Sequence, residues 1–433
     1  MTKASFAGWV GLLSTLGMAG CPTACVPEDV AEARSCTMPD EPFVSDEVPY
    51  DDDHVLCVHV EMDASDYDDM RHQARDISVV YTNTNCDAPF LSPYTWFEAD
   101  IVVDGNPVDT VGVRNKGFVG SISSQRPSLK IKTDKYVDNQ ELFSTERITL
   151  NNNNHEPTRI RTCLGYALFA AAGVPAPRCN WAVVEVNGTP LGVYAHVEPV
   201  KKRFLRRHFG NDDGDLYEAT FTDVVEGWYG RFEAKTSETS AVMLRLRQLE
   251  AALLIVDDDD FVSRIAEVLD VDAFLRFWAM EVLLDHGDGC SGNINNYYIY
   301  FDPDDGNRAQ FIPWSTDGVL SADGPTTGDG TLHTYTRGRV IARMSRSPTL
   351  SLRMRDALRD VVDDVWDEDR LLADIDTWAA LVRQGQSSPT YDDDLGVLRD
   401  IVRNRRAVVE GMLDDGVPVR GVDVDACTPF AGR

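Results

Sequence analysis

His286-Gly287-Asp288-Gly289-Cys290-Ser291-Gly292-Asn293 is a polar stretch standing between two elements of different periodicity. Ahead of it, residues near 272–285 repeat apolar side chains at helical spacing. Behind it, Tyr297 to Phe301 and Ala309 to Ile312 read as two strands of a hairpin, turning at residues 302–307. The returning strand runs into Ile312-Pro313-Trp314-Ser315-Thr316-Asp317-Gly318, a second loop that carries an aspartate. A helix, a loop, a hairpin and a second loop thus follow one another, each loop carrying an aspartate.

Outward from this hairpin the chain divides. Helical patterns follow near 348–366, 368–384 and 395–414, and precede it near 239–255 and 259–269. Earlier still the pattern is strand-like: Val55 to Val60, Ala99 to Val103 with a turn at Asp104-Gly105, and Leu129 to Lys132. Arg159 to Gly173 reads as a helix with a glycine end, and Trp181 to Val186, Asn187-Gly188 and Leu191 to Tyr194 as a hairpin with a favoured turn. The expected fold is α+β and bilobal, with a β-rich N-lobe over 51–237, a mainly helical C-lobe over 238–420 and a tail over 421–433. A cleft between two such lobes is where a ligand binds.

Charge narrows the function. With 71 acidic against 41 basic residues the formal net charge is −30, which excludes a nucleic-acid partner, since a phosphate backbone demands a basic footprint. The N-terminus reads as an export signal: Lys3, then a short apolar run from Ala4 to Ala19, too short to span a bilayer. Leu16-Gly17-Met18-Ala19-Gly20-Cys21 resembles a bacterial lipobox, with Met18 less usual at its position. The expectation is a signal peptide over 1–21, a lipid on Cys21 and an exported chain held at the cell envelope by that anchor alone. Residues 22–50, rich in Pro, Glu and Asp, read as a tether with a small disulfide-clipped loop. Of nine cysteines, eight remain once Cys21 is set aside, and an even number in an exported chain points to four disulfides. The absence of any CxxC pair argues against a zinc ribbon.

The opening stretch has the spacing H-x-D-x-x-x-x-N of the protein-kinase catalytic loop, where the Asp accepts a substrate hydroxyl proton and the Asn holds a metal. Phosphoryl transfer needs one carboxylate near the acceptor hydroxyl and another on the divalent ion that neutralises the triphosphate. Asp288 and Asp317 suit those two roles. Alone the spacing is weak, because Asp-Gly and Asn are ordinary turn formers. The turn Asp302-Pro303-Asp304-Asp305-Gly306-Asn307 lacks the regular spacing of a calcium loop and reads as a polar turn.

Several blocks, in order, resemble the CotH family of spore-coat-type protein kinases. They are Gly112-Val113-Arg114-Asn115-Lys116-Gly117, Arg126-Pro127-Ser128-Leu129-Lys130-Ile131-Lys132, Leu150-Asn151-Asn152-Asn153 and Gly173-Val174-Pro175. Leu191-Gly192-Val193-Tyr194, Val197-Glu198-Pro199-Val200, His286-Gly287-Asp288-Gly289, Asn295-Asn296-Tyr297-Tyr298 and Phe311-Ile312-Pro313-Trp314 follow. The resemblance runs from about residue 50 to 410. It implies an atypical protein kinase that uses ATP with Mg²⁺ or Mn²⁺ to phosphorylate a surface or envelope protein on Ser or Thr. Carried over by position, Asp288 is the catalytic carboxylate and Asp317 a metal ligand, with Asn293 or Asn296 as a second ligand. Lys130 or Lys132 meets nucleotide phosphate, Glu198 orients that Lys, and Arg114 is a further phosphate contact.

Ordinary structural roles compete with each of these. Lys130 and Lys132 alternate with Leu129 and Ile131 as solvent-facing strand residues would, and Glu198 is equally suited to pair with a nearby Arg or Lys. Where many family members carry Trp-Asp-x-Asp, this chain has Ser315 in place of the first Asp, and the Gly-rich nucleotide loop of ordinary kinases is missing. A catalytically silent envelope scaffold or adhesin that keeps the fold is therefore the alternative.

Overall fold

A computed structural model of the chain describes residues 33–45, 49–236, 243–322, 332–414 and 424–428. The expected signal peptide and Cys21 fall outside them. In chain order the elements are β1 (Val55–Glu61), α1 (Ala64–His72), α2 (Ile77–Thr82), β2 (Phe97–Val103), β3 (Asn106–Lys116), β4 (Ser128–Lys132) and β5 (Arg147–Asn151). Next come α3 (Arg161–Ala171), β6 (Cys179–Val186), β7 (Thr189–Val197), α4 (Lys202–Phe209), β8 (Asp215–Ala219), β9 (Glu233–Ala234), α5 (Leu244–Leu253), α6 (Asp258–Val268) and α7 (Val271–Leu283). They close with α8 (Cys290–Asn293), β10 (Tyr297–Asp302), β11 (Arg308–Pro313), α9 (Arg339–Arg346), α10 (Pro348–Asp364), α11 (Glu368–Gly385) and α12 (Tyr391–Asp414). Strands lie mainly in the first half and helices in the second, the mixed α+β order expected.

Seven strands close a barrel in the order β1-β2-β3-β4-β5-β7-β6, shut by parallel pairing of β1 with β6. Period-2 alternation fills it: Leu56, Val58 and Val60, Leu129 and Ile131, Ile148 and Leu150, and Ala182, Val184 and Val186 all point inward. β6 and β7 are buried on both faces. Trp181, Val183, Val193 and Ala195 join the helical core, and Trp181 packs 5.6 Å from Trp378 of α11. These strands accordingly read as continuous apolar runs rather than alternating ones.

The second sheet has the order β11-β10-β8-β9. The periodicity predicts a lone hairpin in the helical half; β10 instead pairs along its other edge with β8, from before the expected lobe boundary. A strand joined this way across about 80 residues leaves no local signature.

The expected tether also differs. Over 33–45 the chain lies on the body: Arg34 N–H donates to Gly385 O at 2.9 Å, Phe43 N–H to Asp104 O at 2.9 Å, and Cys36 is bonded to Cys57. Cys86–Cys427 and Cys163–Cys179 are the other disulfides among the described residues, and Cys290 is a buried free thiol. Among the described residues three bridges are formed and Cys290 has none, while Cys25, the remaining cysteine of the eight, lies outside those residues.

Candidate functional site

α7 is buried over most of its surface, with Asp272 and Arg276 on the exposed stripe, because it packs against α10, β11 and α12. Its last carbonyls are met by the buried Arg405 of α12, whose Nε donates to Leu283 O at 2.8 Å and Nη2 to Val282 O at 2.5 Å. A cation on these orphan acceptors both satisfies them and opposes the negative helix end. The helix thus stops firmly at the loop that carries Asp288.

Inside that loop, Glu281 reaches forward from α7. Its fully buried carboxylate accepts from Cys290 N–H at 2.9 Å and Ser291 N–H at 2.6 Å, clamping α8. Burial pushes its carboxyl up to about 7, against the pull of those hydrogen bonds. His286 is buried, and burial lowers its imidazole to about 4, so it is neutral and donates from Nε2 to Trp314 O at 3.3 Å. This bond ties the Asp288 loop to the Asp317 loop.

Three amides hold Asp288. Asn293 Nδ2 donates to Oδ1 at 2.7 Å, Asn295 Nδ2 lies 3.3 Å from both oxygens, and Asn296 Nδ2 reaches Oδ2 at 2.8 Å and the backbone oxygen at 3.0 Å. Burial raises the Asp288 carboxyl above its usual range, the amides pull it back, and the charge of Asp317 adds to the rise. A carboxylate so poised is suited to take up a proton.

Asp317 sits in a turn after β11 that leans on α3. A Cβ at Gly165 would lie 2.7 Å from Thr316 Cβ, so only glycine lets helix and turn approach this closely. Tyr166 Oη accepts from Ser315 N–H at 3.0 Å, and Ser315 Oγ donates to Asp317 Oδ1 at 2.9 Å.

Both aspartates line one cleft of about 490 Å³ between the barrel and the second sheet. Lys130, Arg114 and Asn296 line it as well. Asn293 does not; it holds Asp288 from behind. Lys132 lies off the cleft and pairs with Asp134 at 3.3 Å. The expected Glu198–Lys pair does not form: Glu198 accepts from Arg178 Nη2 at 3.1 Å and also binds Arg207, because β7 ends beside those arginines rather than beside β4.

The acid that does face Lys130 is Glu218, on β8 of the second sheet. Burial pushes the Lys130 ammonium down to about 7, with Glu218 pulling it back and Lys116 and Arg114 adding to the fall. Lys116 falls to about 8 by burial, opposed by Asp317 and Glu218. Burial works against ionised Glu218, yet Lys235 and Lys130 beside it hold its carboxyl below the usual range. Lys116, Glu218 and Lys235 were not singled out in the sequence. Lys116 was visible in its motif block, whereas Glu218 and Lys235 lie in stretches with no signal of their own.

Carboxylate and amide oxygens are hard donors of the kind that hold Mg²⁺ or Mn²⁺, and clustered lysines match phosphate, so the residues present fit a metal–nucleotide pair. A family model described as CotH kinase protein matches residues 113–409, which includes both acidic loops and every barrel strand from β4 onward. The chain belongs to the CotH kinase family. It is also 27% identical over 191 residues to inner spore coat protein H of Bacillus subtilis (strain 168), covering 41% of this chain and 50% of that protein. The chain thus spans about half the length of that curated relative. Membership of the CotH kinase family supports a kinase-like function, and no helix among the described residues is long and apolar enough to cross a membrane.

Proposed function

We propose that this CotH-family protein transfers the terminal phosphate of ATP to a Ser or Thr hydroxyl of a surface or envelope protein. The observation that carries the reading is the meeting of Asp288 and Asp317, which flank the β10–β11 hairpin, with Lys116 and Lys130 of β3 and β4 in one cleft, two stretches of chain far apart in sequence. Asp317 and Asn296 are the residues to hold a divalent cation, which when bound neutralises phosphate charge. Lys130 and Lys116 receive phosphate oxygens, and Glu218 orients Lys130 in the role the sequence had offered to Glu198. The acceptor hydroxyl gives its proton to Asp288 as its oxygen bonds to phosphorus. The bond from phosphorus to the bridging oxygen breaks, and ADP leaves with that electron pair. The three Asn amides keep the Asp288 carboxyl aimed through the exchange.

Export with a lipid on Cys21 belongs to the same proposal, supported by the lipobox-like residues 16–21. Its check is incorporation of labelled fatty acid that is lost in Cys21→Ala.

The test of the kinase reading is thermal stabilisation of the full chain by ATP with Mg²⁺ or Mn²⁺, compared with Asp317→Ala. At a hundredfold excess over Kd the wild type gains about 2.7 kcal/mol. The gain should need the metal and vanish in the variant. Absence of a shift with every nucleotide and metal sinks the kinase reading and leaves the envelope scaffold.

A further inference from the structure

One wall of the cleft is built from residues that precede the family match at 113. The segment 75–96 contributes Arg75, Phe90, Tyr94 and Trp96 to the lining. It is stapled by Cys86–Cys427, both halves of which lie outside 113–409. It is also pressed against the turn Tyr229–Arg231 that leads into β9, where a Cβ at Gly230 would stand 2.1 Å from Asp87 O. A cross-link and a close backbone approach thus fix this wall against the body.

Its inner surface is a box of rings and guanidiniums. Phe90 and Phe118 meet edge to face at 5.1 Å, Phe118 and Phe221 lie at 5.8 Å, and Phe90 and Phe221 at 6.4 Å. Arg75 stands 4.5 Å over the Phe118 ring and Arg231 3.9 Å over Phe90. Arg231 is 1% exposed, and its Nε and Nη1 have no hydrogen-bond partner; nor has Arg75 Nε. Among the described residues no carboxylate pairs with either guanidinium, in a chain of net charge −30. A buried cation without a counter-charge is costly, and is retained where a ligand supplies the charge.

The box lies on the Asp288 side of the cleft. Phe221 N–H donates to Asn295 Oδ1 at 3.3 Å, and the Nδ2 of that residue is one of the amides on Asp288. Lys116 and Lys130 instead face Asp317 and Glu218.

We infer that this box binds an oxyanion-bearing side chain of the protein acceptor, a carboxylate or a phosphate, beside the hydroxyl that faces Asp288. The rings hold its apolar stem and Arg75 and Arg231 its charge, so acceptors with an acidic or already phosphorylated neighbour are preferred. The inference rests on the kinase reading for the identity of the ligand as acceptor.

The probes are fluorescent peptides with one Ser flanked by phosphoserine, by Glu or by Ala. Their binding to the full chain is read by anisotropy with a non-hydrolysable ATP analogue and Mg²⁺ at saturation, which occupies the lysines. The phosphoserine or the Glu peptide should bind about tenfold tighter than the Ala peptide, and Arg75→Gln should shrink that ratio to about twofold or less. Phosphoserine well ahead of Glu assigns the box to phosphate; equal gains assign it to carboxylate. Equal affinity for all three peptides overturns the inference, as does a preference that survives both Arg75→Gln and Arg231→Gln. Arg75 is partly exposed, so Arg75→Gln and the charge-keeping Arg75→Lys decide the matter even where the Arg231 variant fails to fold. Metal-dependent ATP stabilisation without any anion preference removes this inference alone. Anion preference measured without nucleotide, in a chain that no nucleotide stabilises, removes the kinase reading alone.

Discussion

Ser315 Oγ donates to Asp317 Oδ1 at 2.9 Å, from a residue held at φ 52°. The position where many family members carry a second acid is thus filled by a hydroxyl that orients the remaining one. A left-handed backbone here is one that Asp, Asn or Gly adopts more readily than Ser.

Ser315→Ala keeps that backbone strain and removes the hydrogen bond. It should weaken Mg²⁺-dependent nucleotide stabilisation by about 1 kcal/mol. Ser315→Asp should restore or strengthen metal affinity, measured as the Mg²⁺ concentration at half-maximal stabilisation. An unchanged midpoint in both variants would mean that Ser315 does nothing for Asp317.

Asp288→Asn removes the proposed acceptor of the hydroxyl proton and should lower phosphoryl transfer by about a hundredfold to ten-thousandfold while leaving nucleotide stabilisation in place. It also turns an amide toward three amide donors. Unfolding free energy should fall by about 1–3 kcal/mol, the usual cost of stranding buried donors. Denaturant melts and single-turnover rates separate the two effects.

Lys130 titrates near 7 in the folded chain against 10.5 for an ordinary lysine. The unfolded chain holds this proton more tightly, so stability rises as pH climbs from about 7 toward 10.5. Phosphate binding runs the other way, because it needs the ammonium. At pH 8 nucleotide binding should take up protons, seen as a dependence of the calorimetric heat on buffer ionisation enthalpy, and Lys130→Arg should reduce the uptake to the share that Lys116, at about 8, contributes.

Glu281 titrates near 7, above the ordinary 4.5. The folded chain holds its proton more tightly, so its contribution is full below 4.5 and is lost as pH rises through about 7. Glu281→Gln should flatten the stability profile across that window. Glu281→Ala should cost about 1–3 kcal/mol by orphaning the Cys290 and Ser291 amides.

Cys290 is the free thiol among the described cysteines, is 6% exposed, and burial raises its pKa well above 9.0. Alkylation of the native protein should spare it, and mass mapping should find it labelled once the chain is unfolded without reductant.

Much of this protein was legible as sequence. The helix Pro348–Asp364 was expected at 348–366, the hairpins at 181–194 and 297–312 stand where their turns placed them, and the catalytic-type spacing marked Asp288. Hydrophobic period, turn residues and short motifs are local, so the order of residues carries them. Pairing of β10 with β8, closure of β1 on β6, the bond from Cys86 to Cys427 and the replacement of Glu198 by Glu218 beside Lys130 were decided only by the tertiary structure. Each joins residues far apart along the chain, chosen by which apolar faces bury together and which charges that burial leaves side by side. A linear pattern holds no record of that choice.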